Sequence, residues 1–167
     1  MDDLTFKKCV LREFNFLINE YGFRCTLADP YYLRFESQVV FAEIHYDGQR
    51  SFEMDFSLGL LGDLYEGKER PFYLAELIEF SAPDDAQVFP IMQASTPERI
   101  VQLVPKLADL AKTYAKELLS GSRTHFENLS DFREKKCNQN FLEKKLIDVR
   151  AAAKKAWEDE DYARVIK

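Results

Sequence analysis

Tyr31-Tyr32-Leu33-Arg34-Phe35-Glu36 and Val40-Phe41-Ala42-Glu43-Ile44-His45, followed after Asp47-Gly48 by Ser51-Phe52-Glu53-Met54-Asp55-Phe56-Ser57-Leu58, alternate apolar and polar side chains. A period of two belongs to a strand with one face in a core and the other turned away from it. Three such runs separated by short turn signals predict an antiparallel meander between Tyr31 and Leu61 that the rest of the chain covers. Parity tests the register, because a slip of one residue moves every side chain to the other face. A two-residue turn at Ser37-Gln38 pairs Phe35 with Val40, Leu33 with Ala42 and Tyr31 with Ile44, keeping the apolar sets together. In the second hairpin, a three-residue loop, Tyr46-Asp47-Gly48 with Gly48 left-handed, does the same by placing Ala42 beside Phe52 and Val40 beside Met54.

Upstream, residues 3–21 carry Leu4, Phe6, Val10, Phe14 and Leu17 on one arc at 100° per residue, which predicts an amphipathic helix. Asp2 or Asp3 supplies the cap, and Gly22 stands where a left-handed residue ends a helix. Residues 23–27 read as a short strand closed by Asp29-Pro30. Downstream, three of the six glycines fall between Gly59 and Pro71, which reads as a loop or a loosely formed edge. Pro71 then opens a short helix over 72–80, and 88–92 reads as a short strand or irregular connection between prolines. Ser95 and Glu98 have capping-box spacing ahead of a long helix that runs to Leu119. Pro105 is expected to kink or divide it, and Ser120-Gly121-Ser122 to end it. After that break the pattern predicts a helical hairpin, with Ser130 as a cap, Cys137-Asn138-Gln139-Asn140 as an interruption, and Glu158-Asp159-Glu160-Asp161 as a turn.

The fold expected is therefore α+β: an antiparallel meander of three to five strands, packed on one face by the N-terminal helix and the C-terminal helices. At 167 residues and 46% hydrophobic, the chain suits one domain, with a helix-plus-sheet part over 1–94 and a helical part over 95–167. Cys9, Cys25 and Cys137 have neither disulfide-framework nor metal-ligand spacing. The N-terminus is charged from its second residue, and no apolar run approaches a signal or membrane-spanning length, so a cytoplasmic location is expected. The net charge of −6 is unevenly spread. From Asp29 to Glu98 there are 14 acids and 4 bases, whereas from Arg123 to Lys167 there are 9 acids and 11 bases. Such an acidic sheet half repels nucleic acid and steers basic partners.

The polar face of the meander is the candidate site, bearing Tyr32, Arg34, Glu36, Phe41, Glu43, His45, Ser51, Glu53 and Asp55. Its carboxylates and histidine suit either a hard divalent cation or acid–base work, but antiparallel sheets commonly fill a solvated face with such residues. A nuclease would need a nearby lysine and positive surroundings, and neither accompanies these acids. His125 with Cys137 or Ser130 lacks a nucleophile elbow, and no glycine-rich phosphate loop occurs, so no cofactor or metal is assigned. Lys135-Lys136, Lys144-Lys145 and Lys154-Lys155 are interleaved with acids, as on an ordinary solvated helix. Tyr32 and Phe41 are expected to be exposed as an aromatic anchor ringed by acids, unless the C-terminal helices or the loop at 62–70 cover them.

Glu20-Tyr21-Gly22-Phe23, Tyr32-Leu33-Arg34-Phe35-Glu36-Ser37, Val40-Phe41, Glu43-Ile44 and Tyr46-Asp47 resemble small cytoplasmic bacterial proteins, mostly uncharacterised and in part associated with toxin immunity. The resemblance implies no catalysis: an acidic surface blocks a basic partner by binding it. The residues thus point to a non-enzymatic protein-binding module that uses the acidic sheet face. A metal-dependent hydrolase on the same carboxylates is the rival. A structural subunit binding through its C-terminal helices is a third reading, which requires an exposed apolar stripe around Leu142, Val149 and Trp157.

Overall fold

In the computed structural model, residues 5–87 and 92–158 are described, and they form a mixed α+β architecture. The elements in chain order are α1 (Thr5–Glu13), α2 (Asn15–Asn19), β1 (Arg24–Ala28), β2 (Tyr32–Glu36), β3 (Val40–Tyr46) and β4 (Met54–Leu60). They continue through β5 (Leu64–Tyr65), β6 (Lys68–Glu69), β7 (Phe72–Tyr73), α3 (Leu74–Ser81), α4 (Pro83–Ala86), α5 (Pro97–Tyr114), α6 (Lys116–Leu119) and α7 (Arg123–Glu158). The chain divides into two compact units, Met1–Glu127 and Asn128–Lys167. The expected cap at Asp2 or Asp3, most of the 88–92 connection and the acidic run from Asp159 lie outside the described residues.

Five strands form one antiparallel sheet in the order β1-β2-β3-β4-β7. Its inner face carries Leu33, Phe35, Ala42, Ile44, Phe56 and Leu58, all fully buried. Phe14 stacks on Phe56 at 5.9 Å, and Phe6 meets Tyr46 at 5.3 Å, so the helical arc read from the sequence is the surface that closes this face. α5 lies against α1, α3 and β4 and buries Ile100, Val104, Leu107, Ala108 and Ala111. The small alanines let the helices approach closely. The single helix expected over 3–21 breaks at Phe14 (φ −90°, ψ 11°) into α1 and α2; Gly22 (φ 70°) follows α2, with Gly22 N donating to Ile18 O and Phe23 N to Leu17 O.

The parity of the meander holds, but its registers differ from those expected. Leu33 pairs with Ile44 and Phe35 with Ala42, a shift of two residues, because the turn lies at Gln38-Val39, one residue beyond the expected Ser37-Gln38. There Ser37 Oγ accepts from Val40 N at 3.0 Å, and Ser37 N donates to Val40 O at 2.8 Å. In the second hairpin Ala42 pairs with Leu58 and Val40 with Leu60, six residues from the expected register. The cause is the Asp47 carboxylate, which accepts from the backbone N–H groups of Gln49, Arg50 and Ser51 at 3.1–3.2 Å and organises a longer loop. Phe52 (φ 57°), not Gly48, takes the left-handed conformation.

Three further helical expectations change. Thr96 replaces Ser95 as the cap of α5, its side chain accepting from Arg99 N at 3.3 Å. α5 runs through Pro105 and breaks at Ala115 instead. Residues 123–158 form one continuous helix with no interruption at Cys137–Asn140, and the second arm of the expected hairpin lies outside the described residues. Asn and Gln are only mildly unfavourable inside a helix, so the Cys137–Asn140 run lacks the glycine or proline needed to stop one.

Gly59 gives a test of the packing on the outer face of the sheet. A Cβ there would come within 2.7 Å of Phe41 Cζ, and that ring is clamped in place. Gly59→Ala is expected to lower unfolding stability by about 1–3 kcal/mol. In chemical denaturation, Phe41→Leu should recover part of that loss when combined with Gly59→Ala. Simple additivity of the two substitutions would refute the clash.

Candidate functional site

The sheet's outer face is arranged in three rows across β2, β3 and β4. Glu36, Phe41 and Gly59 form one row, Arg34, Glu43 and Ser57 the next, and Tyr32, His45 and Asp55 the third. Alternation along each strand and the observed pairings bring the predicted residues together in this order. The rows differ sharply in environment.

The Glu36–Phe41–Gly59 end is closed. Phe41 is 1% exposed, which corrects the expectation that its ring stands in solvent. The Arg34 guanidinium lies 4.2 Å from the centre of the Phe41 ring. Arg34 also contacts three carboxylates: Glu36 at 2.6 Å, Glu43 at 2.6 Å, and Glu69 through two parallel bonds of 2.7 and 2.9 Å. Glu69 comes from β6, so the β5–β6 hairpin is tied down over this end, and Pro71 lies across Gly59. Covering by the loop at 62–70 was the alternative to exposure, and it is the arrangement found. Burial works to lower the Arg34 pKa, but the hydrogen bonds from Glu69, Glu36 and Glu43 outweigh it and hold the guanidinium firmly protonated. Tyr32 donates its hydroxyl proton to Glu43, and burial, reinforced by that carboxylate, pushes the phenol up to about 12.

The Tyr32–His45–Asp55 end is open. It faces a cavity of about 620 Å³ lined by Glu43, Glu53 and Tyr73, together with the buried Met54 and Met92. Glu53 reaches it through an isolated bridge to Gln93, whose amide donates to Glu53 Oε1 at 3.3 Å. Asp55 is the most perturbed acid here. Burial raises its pKa to about 6, and the negative charges of Glu53 and Glu76 push the same way. The hydrogen bond that Asp55 accepts from Phe56 N at 2.7 Å opposes the rise. The ion pairs of this face among the described residues all belong to Arg34, and none reaches Glu53 or Asp55. No group of three or more His, Cys, Asp or Glu among the described residues could hold a metal ion.

Thus Tyr32, Glu43, His45, Glu53 and Asp55 line one cavity, with Ser51 also at its wall. Arg34, Glu36 and Phe41 form the closed end instead. Sequence reasoning missed Glu69, which lay in a stretch read as loosely formed. The signal was faint: Glu66 (φ 52°) and Gly67 (φ 78°) make the tight turn between β5 and β6, and Glu-Gly is a weaker mark of such a turn than Asn-Gly. Tyr73 was read as helical, but it pairs with Ser57 in β7 before capping α3.

No family model, curated protein or solved structure matches this chain. No helix among the described residues is long and apolar enough to cross a membrane.

Variants at two positions, Arg34 and Asp55, check these electrostatics. Arg34→Ala leaves three carboxylates without their cation and is expected to cost about 2–3 kcal/mol of stability. Arg34→Lys should recover little, because an ammonium cannot reproduce the paired bonds to Glu69; full recovery would contradict the geometry. For Asp55, the folded state holds its proton up to about pH 6, whereas the unfolded carboxyl releases it near 3.8. Its contribution therefore turns against folding as pH rises from about 4 to 6. Asp55→Asn is expected to be more stable than wild type at pH 8, by on the order of 2–3 kcal/mol. The gap should close towards pH 4 in thermal melts, and a gap independent of pH would rule this out.

Proposed function

We propose that this chain is a non-enzymatic protein-binding module that engages a basic partner at the open end of its outer sheet face. The observation that carries this reading is the cavity holding Glu53 and Asp55, a destabilised carboxylate, beside Tyr32 and Tyr73 and without a neighbouring cation. A lysine or arginine side chain from the partner fits this chemistry. Its apolar stem would pack on the aromatic and methionine walls, and its charge would supply the counter-ion that Asp55 lacks. Tyr32 and Tyr73 provide the aromatic anchor assigned at first to Tyr32 and Phe41. The acidic surroundings steer a basic partner and raise its association rate.

An immunity-type inhibitor of a basic protein is the sharper form of this reading, supported by the resemblance of residues 20–47 to toxin-immunity-like proteins. In this form the chain works by occupying its partner's basic surface. The metal-dependent hydrolase has less support, because Arg34 holds Glu43 and the loop N–H groups hold Asp47, which leaves Glu53 and Asp55 as the cavity's remaining carboxylates.

The structure also improves the choice of variants. Reversing Glu43 would break the Arg34 network, so Glu53→Gln with Asp55→Asn is the cleaner probe. Affinity capture from the native host with wild type should retain a basic protein that the double variant releases, and calorimetric titration of that protein should then show affinity rising from pH 5 to 7. Asp55→Asn should flatten that rise, and a rise of the same size in the variant would count against Asp55 as its source. Equal capture by both forms would exclude the cavity as the binding surface.

A further inference from the structure

The exposed side chains of α7 form a second surface, independent of the cavity. Leu142, Leu146 and Val149 are 64%, 49% and 57% exposed. With Ala153 they follow the four–three–four spacing that sets apolar residues along one seam of a helix. Phe141 and Ile147 are equally exposed but fall outside that seam. Lone exposed apolar residues are ordinary, whereas a seam of them calls for a partner.

The charges beside the seam identify the partner and its direction. Glu143 and Arg150 lie seven residues apart on one flank, and Lys145 lies on the other. If two copies of this helix paired in parallel, Lys145 of one would stand beside Arg150 of the other, and like charges would oppose each other twice. If they paired antiparallel, about a two-fold axis between Ile147 and Asp148, Leu146 would face Val149 and Leu142 would face Ala153. Glu143 would then stand beside Arg150 of the other copy, again twice by symmetry. One sequence thus complements itself in one direction and repels itself in the other, as flanking charges do when they set helix orientation.

We propose that residues 142–153 pair antiparallel with the same residues of a second copy of this chain. The seam covers less than two heptads, so the dimer is weak and depends on concentration. Its apolar contacts supply the attraction and the two Glu143–Arg150 pairs set the direction.

Sedimentation equilibrium of the full chain should show a mass rising with concentration from 19.5 kDa towards twice that value. Leu146→Lys and Val149→Lys should each hold the chain monomeric, whereas Ile147→Lys, on another face of the same helix, should dimerise like wild type. Glu143→Lys should weaken the dimer several-fold, and adding Arg150→Glu should restore it. For the direction, nitroxide labels on Cys137 of a Cys25→Ser chain should lie about 30 Å apart, against about 10 Å for parallel helices, from a rise of 1.5 Å per residue. Cys9 is buried and Cys137 exposed, so labelling of this chain is directed to Cys137. A monomer at all concentrations would overturn the proposal. So would equal loss of the dimer in Ile147→Lys, failure of the charge swap to restore it, or the short label distance.

Discussion

The guanidinium of Arg34, lying on the Phe41 ring and held by Glu36, Glu43 and Glu69, is the interaction on which the outer face of the sheet depends. An arginine placed among polar residues on a strand would ordinarily extend into water. Here its flat cation covers a phenylalanine on the same face, and three carboxylates offset the desolvation that this position imposes. Glu69 is the only one of the three that lies outside β2 and β3. The bond to Glu69 therefore carries a tertiary consequence: it brings the β5–β6 hairpin over the sheet. Phe41 then has no room for a side chain at position 59, and glycine stands there.

Closing one end of the face leaves the other open. The rows through Arg34 and through Tyr32 are adjacent, and Tyr32 joins them by donating its hydroxyl to Glu43. Glu43 thus serves the closed end while forming one wall of the cavity. Asp55 lies in the row beyond, across from His45, half-buried yet beyond the reach of Arg34. A carboxylate kept there without a counter-ion weakens the fold near neutral pH, and strained electrostatics of this kind gather where a protein meets something else. The stability of the network and the instability of Asp55 are two outcomes of the same unequal distribution of positive charge.

The two surfaces of the molecule differ in chemistry. The cavity is small, acidic and part-aromatic, suited to a cationic side chain. The seam of α7 is apolar with charges of both signs beside it, suited to its own copy. The contrast in charge between the acidic sheet half and the more basic C-terminal stretch is thus also a contrast between two kinds of surface.

The sequence by itself determined the strands of the meander, their faces and the inner core, because alternation of apolar and polar residues is a local property that any register of the right parity preserves. It also placed Gly22, the break at Ser120–Ser122 and, on the cavity wall, Tyr32, Glu43, His45, Glu53 and Asp55, but not Tyr73. It did not set the registers, since turn length depends on which side chain satisfies the turn's N–H groups, and Asp47 satisfies three where a tight loop would offer none. Nor did it distinguish Phe41, buried, from Tyr32, half-buried, although both alternate onto the same face. That difference rests on Glu69 meeting Arg34 across 35 residues of chain, a contact that only folding brings about and that no periodicity records.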